Sequence, residues 1–550
     1  MLPRIVPQSA GGAKGGRPEG RLGGLSCYAI RMRLGIDFGT TRIVVAACDR
    51  GNYPVVTFEA SDGTVRDWFP PLVAVKDGAR FYGWQAWSLQ EDPSATVVRS
   101  LKRYLSEAGP QTPVEIGGVE TPLSTLLAEL AGSLREALVG VSNVKIRAGE
   151  EIEVMLGVPA SANSNQRFLT VDAFRAAGFS VVGLLNEPSA ASIEYGHSHR
   201  EQANAKQHIL VYDLGGGTFD ASLVELDERS HGVVASEGIP TLGGDDFDGI
   251  LADLAWPAEE ELTQSEYFLL HEECRLQKES LNPNSRKMVL DLDAVRPGLG
   301  SVTIPVADFY EKCQMLVAET VHAVADLTSR TESLEAIYMT GGGSEMPLVA
   351  RLLRETYGRK VKRSPYTRAA TAIGLAIQAD KSSGYVLRDQ FTRYFGVWRE
   401  WEGGRVMRFD PLFAKGTELP HAGEAELEQR RSYTAVHNIG HFRYLECSHL
   451  DERGQPDGSI TVWDEIRFPM DPALQGLADL SEEPVRHVYL NQQIAETYRC
   501  GAGGELEVEI GNLSAGYERK YRLGRWGGNT EPIVPGKTKR AATKKKAAGR

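Results

Sequence analysis

The chain has 550 residues, 42% hydrophobic and 24% charged, ordinary globular usage that excludes a wholly disordered chain, a collagen or a disulfide-dense miniprotein. At roughly 100–200 residues per domain, the length predicts about three to five domains or subdomains. The net charge is −12, which excludes a general nucleic-acid-binding body. That charge is uneven: residues 1–31 carry +4 and the last fourteen residues +7, leaving −23 for 32–536.

The first predicted element lies within Arg33–Asp49, two β-rich runs around a tight Gly turn, with further strand over Val55–Val75. Leu and Ala spacing predicts a helix over 121–140, followed by a buried strand at Glu151–Val158. A helix over Asn163–Ala177 has Ser161 or Asn163 as its N-cap. A strand at Val181–Leu185 leads through a turn into a helix within 186–196. Strands at Ile209–Asp213 and Ala221–Glu225 flank Gly215, Gly216 and Gly217. A strand at Glu335–Thr340 runs into Gly341, Gly342 and Gly343 and a helix through Leu353, and a small-residue helix spans Thr371–Ala379. Beyond Asp389 the helical period fades, and alternation with turn signals at Glu402–Gly404, Asp451–Gly454 and Gly501–Gly504 predicts a β-rich domain.

Six cysteines are scattered with no C-x-x-C spacing, which argues for a reducing compartment and a cytoplasmic location. No run approaches the roughly 18 apolar residues of a membrane span. Residues 1–31 are rich in Gly, Pro and Arg and lack the apolar region of a signal peptide. They are expected to form a disordered basic extension, with Met32 as an alternative start.

Asp37-Phe38-Gly39-Thr40 and the Asp213–Thr218 turn each follow an apolar strand, about 176 residues apart. That repeat suggests a duplicated α/β lobe. Backbone N–H groups of such turns converge on phosphate oxygens, an Asp at the strand end holds Mg²⁺ through its water shell, and Thr40, Thr41 and Thr218 donate. Gly536-Lys537-Thr538 resembles the end of another phosphate loop, but Glu531 stands where its first Gly belongs and no core strand precedes it. His437, His441, Cys447 and His449 are all metal-ligand types within thirteen positions. Gly440 and the strand-like pattern argue against a shared site there.

Six ordered motifs, LGIDFGTT (34–41), VPASANSNQR (158–167), NEPSAASIEYG (186–196), VYDLGGGTFDASLVEL (211–226), LGGDDFD (242–248) and MTGGGSEMPLV (339–349), resemble the heat-shock protein 70 (DnaK-type) chaperones. The resemblance implies an α/β, actin-like ATPase fold, two duplicated lobes around a nucleotide cleft, followed by a β-sandwich-like domain. It divides the chain into a disordered basic extension (1–31), a nucleotide-binding ATPase domain (32–380), an interdomain linker (381–389), a β-rich polypeptide-binding domain (390–525) and a disordered Lys-rich tail (526–550). About 160 residues follow the linker, so the family's helical lid is expected to be missing and peptides to be held loosely.

The resemblance also implies slow ATP hydrolysis, with ATP/ADP and Mg²⁺ as cofactors. Asp37 and Asp213 are the carboxylates that hold Mg²⁺ through water, Lys102 stands beside the γ-phosphate, Glu187 positions the attacking water, and Thr218 contacts the γ-phosphate. Gly39, Thr40, Thr41, Gly215, Gly216, Gly217, Gly243, Gly244, Lys278, Gly341, Gly342 and Gly343 line the nucleotide. Pro159 and Arg167 resemble a relay to the partner domain. Implied partners are unfolded or extended polypeptide, a J-domain co-chaperone and a nucleotide exchange factor, while the basic tail suits nucleic acid or an acidic partner.

Three departures stand out. Glu279 and Glu345 replace adenine-side arginines, which puts base affinity in question, because Glu cannot stack on adenine as Arg does. Arg42 replaces a tyrosine. The linker keeps only Val386 and Leu387 of an apolar pattern. Two other functions remain open: a degenerate nucleotide sensor or scaffold with little turnover, and a small-molecule kinase of the same architecture. In the β domain, Trp398, Trp401, Phe409, Phe413 and Phe442 either line a peptide pocket or fill the β-core.

Overall fold

The computed structural model describes residues 31–523 and 532–535, apart from 61, 148, 200–206, 257–260, 402–405, 421–423, 478 and 503. The N-terminal extension expected over 1–31 falls outside them except for Arg31, as does the basic stretch 537–550 with its expected partners.

Two sheets carry the two lobes. In the first, the strands run Ser180–Asn186, Ile152–Val158, Met32–Phe38 and Ile43–Ala47. In the second, they run Val361–Arg363, Leu334–Thr340, Gln207–Leu214, Phe219–Asp227, Ser230–Ile239 and Val386–Arg388. Each lobe opens with an antiparallel hairpin whose first strand then accepts a parallel neighbour from later in the chain. This is the duplication that the two turn motifs announce. The central strands are buried on both faces, and their near-continuous apolar runs reflect that.

The expected continuous strand over 55–75 is instead three short strands, Phe58–Glu59, Val65–Arg66 and Val73–Lys76. Gly63, at φ +77°, turns the chain there. Asn163 is the N-cap: its side chain accepts from the Gln166 N–H while Gln166 reaches back to the Asn163 N–H.

Helices Glu187–Ser198 and Ala370–Ala379 pack together between the lobes. Their crossing depends on missing side chains. A Cβ on Gly374 would lie 1.8 Å from the Ala190 carbonyl oxygen, and one on Gly35 would lie 2.2 Å from the Ala376 nitrogen.

The β domain is a sandwich of two four-stranded antiparallel sheets. Phe395, Phe413, Phe442, Tyr444, Trp463, Phe468 and Tyr498 fill its centre. The five aromatics proposed for a pocket therefore separate. Phe413 and Phe442 are core, Trp398 and Phe409 join Leu445 and Cys447 in a second small cluster, and Trp401 is half exposed beneath Arg408.

The chain then returns to the first lobe. Ile533, within the expected tail, pairs with Val114 through bonds to Pro113 and Glu115. Cys48, Cys274, Cys313, Cys447 and Cys500 are free thiols. No helix among the described residues is long and apolar enough to cross a membrane.

Candidate active site

Each lobe contributes one Gly hairpin, and the two meet face to face. A Cβ on Gly216 would come within 2.7 Å of the Thr41 side chain, and one on Gly217 within 2.6 Å of Thr40 Oγ1. The second hairpin is closed by the Gly215 N–H donating to Thr218 O (3.0 Å). It is backed by helix Gly244–Ala255, whose Gly244 and Asp245 N–H groups donate to Gly215 and Gly216 carbonyls. Gly341, at φ +79°, passes the strand end so closely that a Cβ would lie 2.3 Å from Asp213 Oδ1.

One cavity between the lobes is lined by Asp37, Gly39, Thr40, Thr41, Lys102, Glu187, Asp213, Gly215, Gly216, Thr218, Gly244, Lys278, Gly341, Gly342 and Gly343. Of the residues expected to line it, Gly217 and Gly243 do not. Gly217 gives way to Thr40, and Gly243 is pressed against the backbone of Gly216 and Gly217, so both serve the close approach of the walls. Lys278 reaches the cavity, but its ammonium is held by the Gly244 carbonyl (2.6 Å) and Asp248 (2.7 Å).

Lys102 is buried and its ammonium donates to Glu187 at 2.6 Å. Burial pulls its pKa down, but Glu187 and Asp37 outweigh that and the group stays charged above its usual range. The carboxylates respond the other way. Burial, reinforced by Glu187, pushes Asp37 and Asp220 up to about 7, and drives Asp213 well above its usual value.

Asp220 lies beside the site, outside the cavity lining, and is an acid that the sequence reading missed. The hairpin register sets it directly across from Asp213, and that register, counted out from the Gly turn, is the signal that would have found it. Its Oδ1 accepts from the Ser161 N–H, while its Oδ2 is buried with no hydrogen-bond partner. An orphaned carboxylate oxygen among crowded acids fits a divalent cation held at this end of the cleft.

At the far end of the cavity stand Arg42, Arg275, Glu279 and Arg368. Arg42 spans the cleft to Glu279 at 2.6 Å, Arg275 meets Glu279 at 3.2 Å, and Arg368 meets both Glu279 (3.3 Å) and Glu345 (2.5 Å). The substituted glutamates therefore do not strip this end of guanidinium groups. They hold arginines that come from other positions.

The Hsp70 protein family model matches residues 141–392. The chaperone protein HscA homolog of Janthinobacterium sp. is 30% identical over 533 residues, covering 89% of this chain and 77% of that protein. The chain belongs to the Hsp70 family. The HscA homolog of Herminiimonas arsenicoxydans is likewise 30% identical, over 89% of this chain and 77% of that one, and that of Colwellia psychrerythraea is 30% identical over 76% and 70%. Membership makes the protein an ATP-dependent chaperone of the Hsp70 type.

In this Hsp70 the segment expected as a linker joins the second lobe. Val386–Arg388 adds a parallel edge strand to Ser230–Gly232. Leu387 is buried in the apolar cluster that also holds Ala190 and Ile193, while Val386 is exposed. One residue further on, Asp389 accepts from the Asn186 side chain (2.7 Å) and backbone N–H (3.1 Å), and Asn186 in turn accepts from Arg167 (2.6 Å). Glu446 of the β domain accepts from the Ser164 N–H on the same helix as Arg167. Arg167 therefore lies between the nucleotide domain, the linker end and the β domain.

His231 lies opposite Leu387 in the strand register and packs edge-on against Tyr385. Burial lowers its pKa to about 4. A folded pKa below the unfolded one means stability that is full above the unfolded value of 6.5 and is lost as pH falls from there towards 4. At a pH of about 5.5 the loss is about 1 kcal/mol. Melting curves at near-neutral and mildly acidic pH should therefore show a smaller acid penalty in His231→Asn than in the parent chain. Equal penalties would rule His231 out as the cause.

Proposed function

We propose that the protein binds ATP or ADP with Mg²⁺ between its lobes, hydrolyses ATP slowly, and uses that cycle to change how the β domain grips unfolded or extended polypeptide. The observation that carries this reading is the convergence of Asp37, Thr40, Thr41, Lys102, Glu187, Asp213 and Thr218, from motifs far apart in sequence, on one cavity.

Thr40, Thr41, Thr218 and the backbone of Gly215 and Gly216 donate to phosphate oxygens. Glu187 orients the attacking water and Lys102 offsets charge at the reacting phosphate, which is the positioning and electrostatic work that phosphoryl transfer requires. Asp37 and Asp213 would hold Mg²⁺, and the ion would supply further charge neutralisation at the phosphates. Asp220 supports the same cation.

Coupling to the β domain runs through the linker strand and the Arg167–Asn186–Asp389 chain. Nucleotide-dependent opening of the cleft moves the second-lobe sheet whose edge the linker extends. A J-domain co-chaperone and a nucleotide exchange factor are the proposed partners of this cycle.

The test is the release of a fluorescent unfolded peptide with and without ATP. ATP should speed release severalfold in the parent chain. Leu387→Asp puts a charge in a buried apolar position, so it should bring the two release rates within about twofold while ATP turnover persists. A parent chain whose release ignores ATP would count against the reading as a whole. A full ATP response in Leu387→Asp would remove the linker strand from it.

A further inference from the structure

The histidines that cluster in the β-domain sequence do not share a site. His441 pairs with Glu465, His449 contacts Ser448, and Cys447 is buried inside the sandwich. His437 takes different partners, and the backbone sets them.

His437 and His487 form an isolated antiparallel bridge. The bonds on either side run from the Val488 N–H to Val436 O (3.0 Å) and from the Asn438 N–H to Arg486 O (3.2 Å). The two histidines are thus the non-hydrogen-bonded pair of the bridge, the position where opposed side chains come closest. Asn438 locks the arrangement. Its side chain accepts from the Arg486 N–H (2.7 Å) and donates to the Pro484 carbonyl (3.1 Å).

The imidazole centroids are 4.2 Å apart. Glu400, at the end of strand Tyr394–Trp401, brings Oε2 to 3.6 Å from His437 Nε2. One ligand atom from each of the three residues lies within 4.8 Å of the others.

We propose that Glu400, His437 and His487 form a zinc-binding site on the β domain, with two imidazole nitrogens and one carboxylate oxygen as ligands and the remaining position open to water. Zn²⁺ suits this mixed nitrogen and oxygen set, with bonds of about 2.0–2.2 Å. Glu400 and His487 are exposed, so the ion has a direct route in. Bound there, it joins three connections of the sandwich: the end of Tyr394–Trp401, the segment before Ile439–Leu450 and the segment before Gln493–Cys500. The inference does not depend on the nucleotide reading.

The experiment uses the untagged full chain, stripped with chelator and titrated with Zn²⁺ or with Co²⁺ as a spectroscopic reporter. One Co²⁺ per chain should bind with the visible absorption of a tetrahedral site, and Zn²⁺ should displace it. His487→Ala should weaken binding more than tenfold and Glu400→Gln about tenfold, whereas His441→Ala and His449→Ala should bind as the parent does. Both altered ligand positions are exposed, so the metal-free variants should melt with the parent. No stoichiometric binding by the parent, or parent-like binding by His487→Ala, would overturn the proposal.

Discussion

Lys102→Ala should lower single-turnover ATP hydrolysis by about 10²–10³-fold while ATP binding changes by about tenfold or less. The size of the effect follows from the company Lys102 keeps. Its ammonium is buried, sits 2.6 Å from Glu187 and also acts on Asp37, Asp213 and Asp220. In a site from which water is excluded, a positioned cation acts far more strongly on developing phosphate charge than it would in solution. Removing it also leaves Glu187 without its hydrogen-bond donor, so the residue proposed to orient water loses its own anchor. Breaking a buried pair destabilises as well, by up to about 3–5 kcal/mol, unless the carboxylates take up protons. The variant's melting curve must therefore accompany the rate. A hundredfold drop in a folded variant supports the hydrolytic reading. Equal, near-zero rates in parent and variant would favour the nucleotide sensor or scaffold instead.

The phosphate end of the cleft was legible in the sequence because local chemistry writes it. A strand, an Asp, a Gly turn and Thr hydroxyls must follow one another in the chain, so they read as motifs. Asp37, Thr40, Thr41, Asp213 and Thr218 accordingly line one cavity. Asp220 was hidden one step deeper, since only the hairpin register brings it opposite Asp213.

The base end was not legible for a different reason. Arg42, Glu279, Glu345 and Arg368 lie far apart in the chain, and only the folded molecule brings them into ion pairs. From sequence alone, two glutamates in place of arginines read as a loss. The linker strand is a similar case. Its two remaining apolar residues gave little pattern, yet one edge position beside Ser230–Gly232 suffices to bury Leu387. The β-domain aromatics were ambiguous because alternation marks a half-buried strand without saying which face meets the core.

Arg368→Ala should raise the KM for ATP by about tenfold and leave kcat within about twofold. Arg368 lines the cavity with Arg42, Arg275 and Glu279, where we propose that the base of ATP is held. Glu345 grips it through Nε (2.9 Å) and Nη2 (2.5 Å), and Glu279 takes Nη1 (3.3 Å). Ion pairs in the plane of a guanidinium leave stacking on a base to its faces, and such a contact contributes about 1–2 kcal/mol when desolvated. Its contribution is the same in ground and transition states, because the base does not react. Uniform binding of that kind appears in KM and not in kcat.

Glu345→Gln should weaken the grip without removing the guanidinium, and so should shift KM by only about two- to threefold. Inorganic tripolyphosphate provides the internal control. It engages the phosphate end alone, so its affinity should be the same in Arg368→Ala and the parent. Were tripolyphosphate and ATP weakened equally, Arg368 would be acting on the whole cleft through the cross-lobe ion pairs. Were neither weakened, the base would have to be held by Arg42 and Arg275, the two other guanidinium groups that Glu279 draws to this wall.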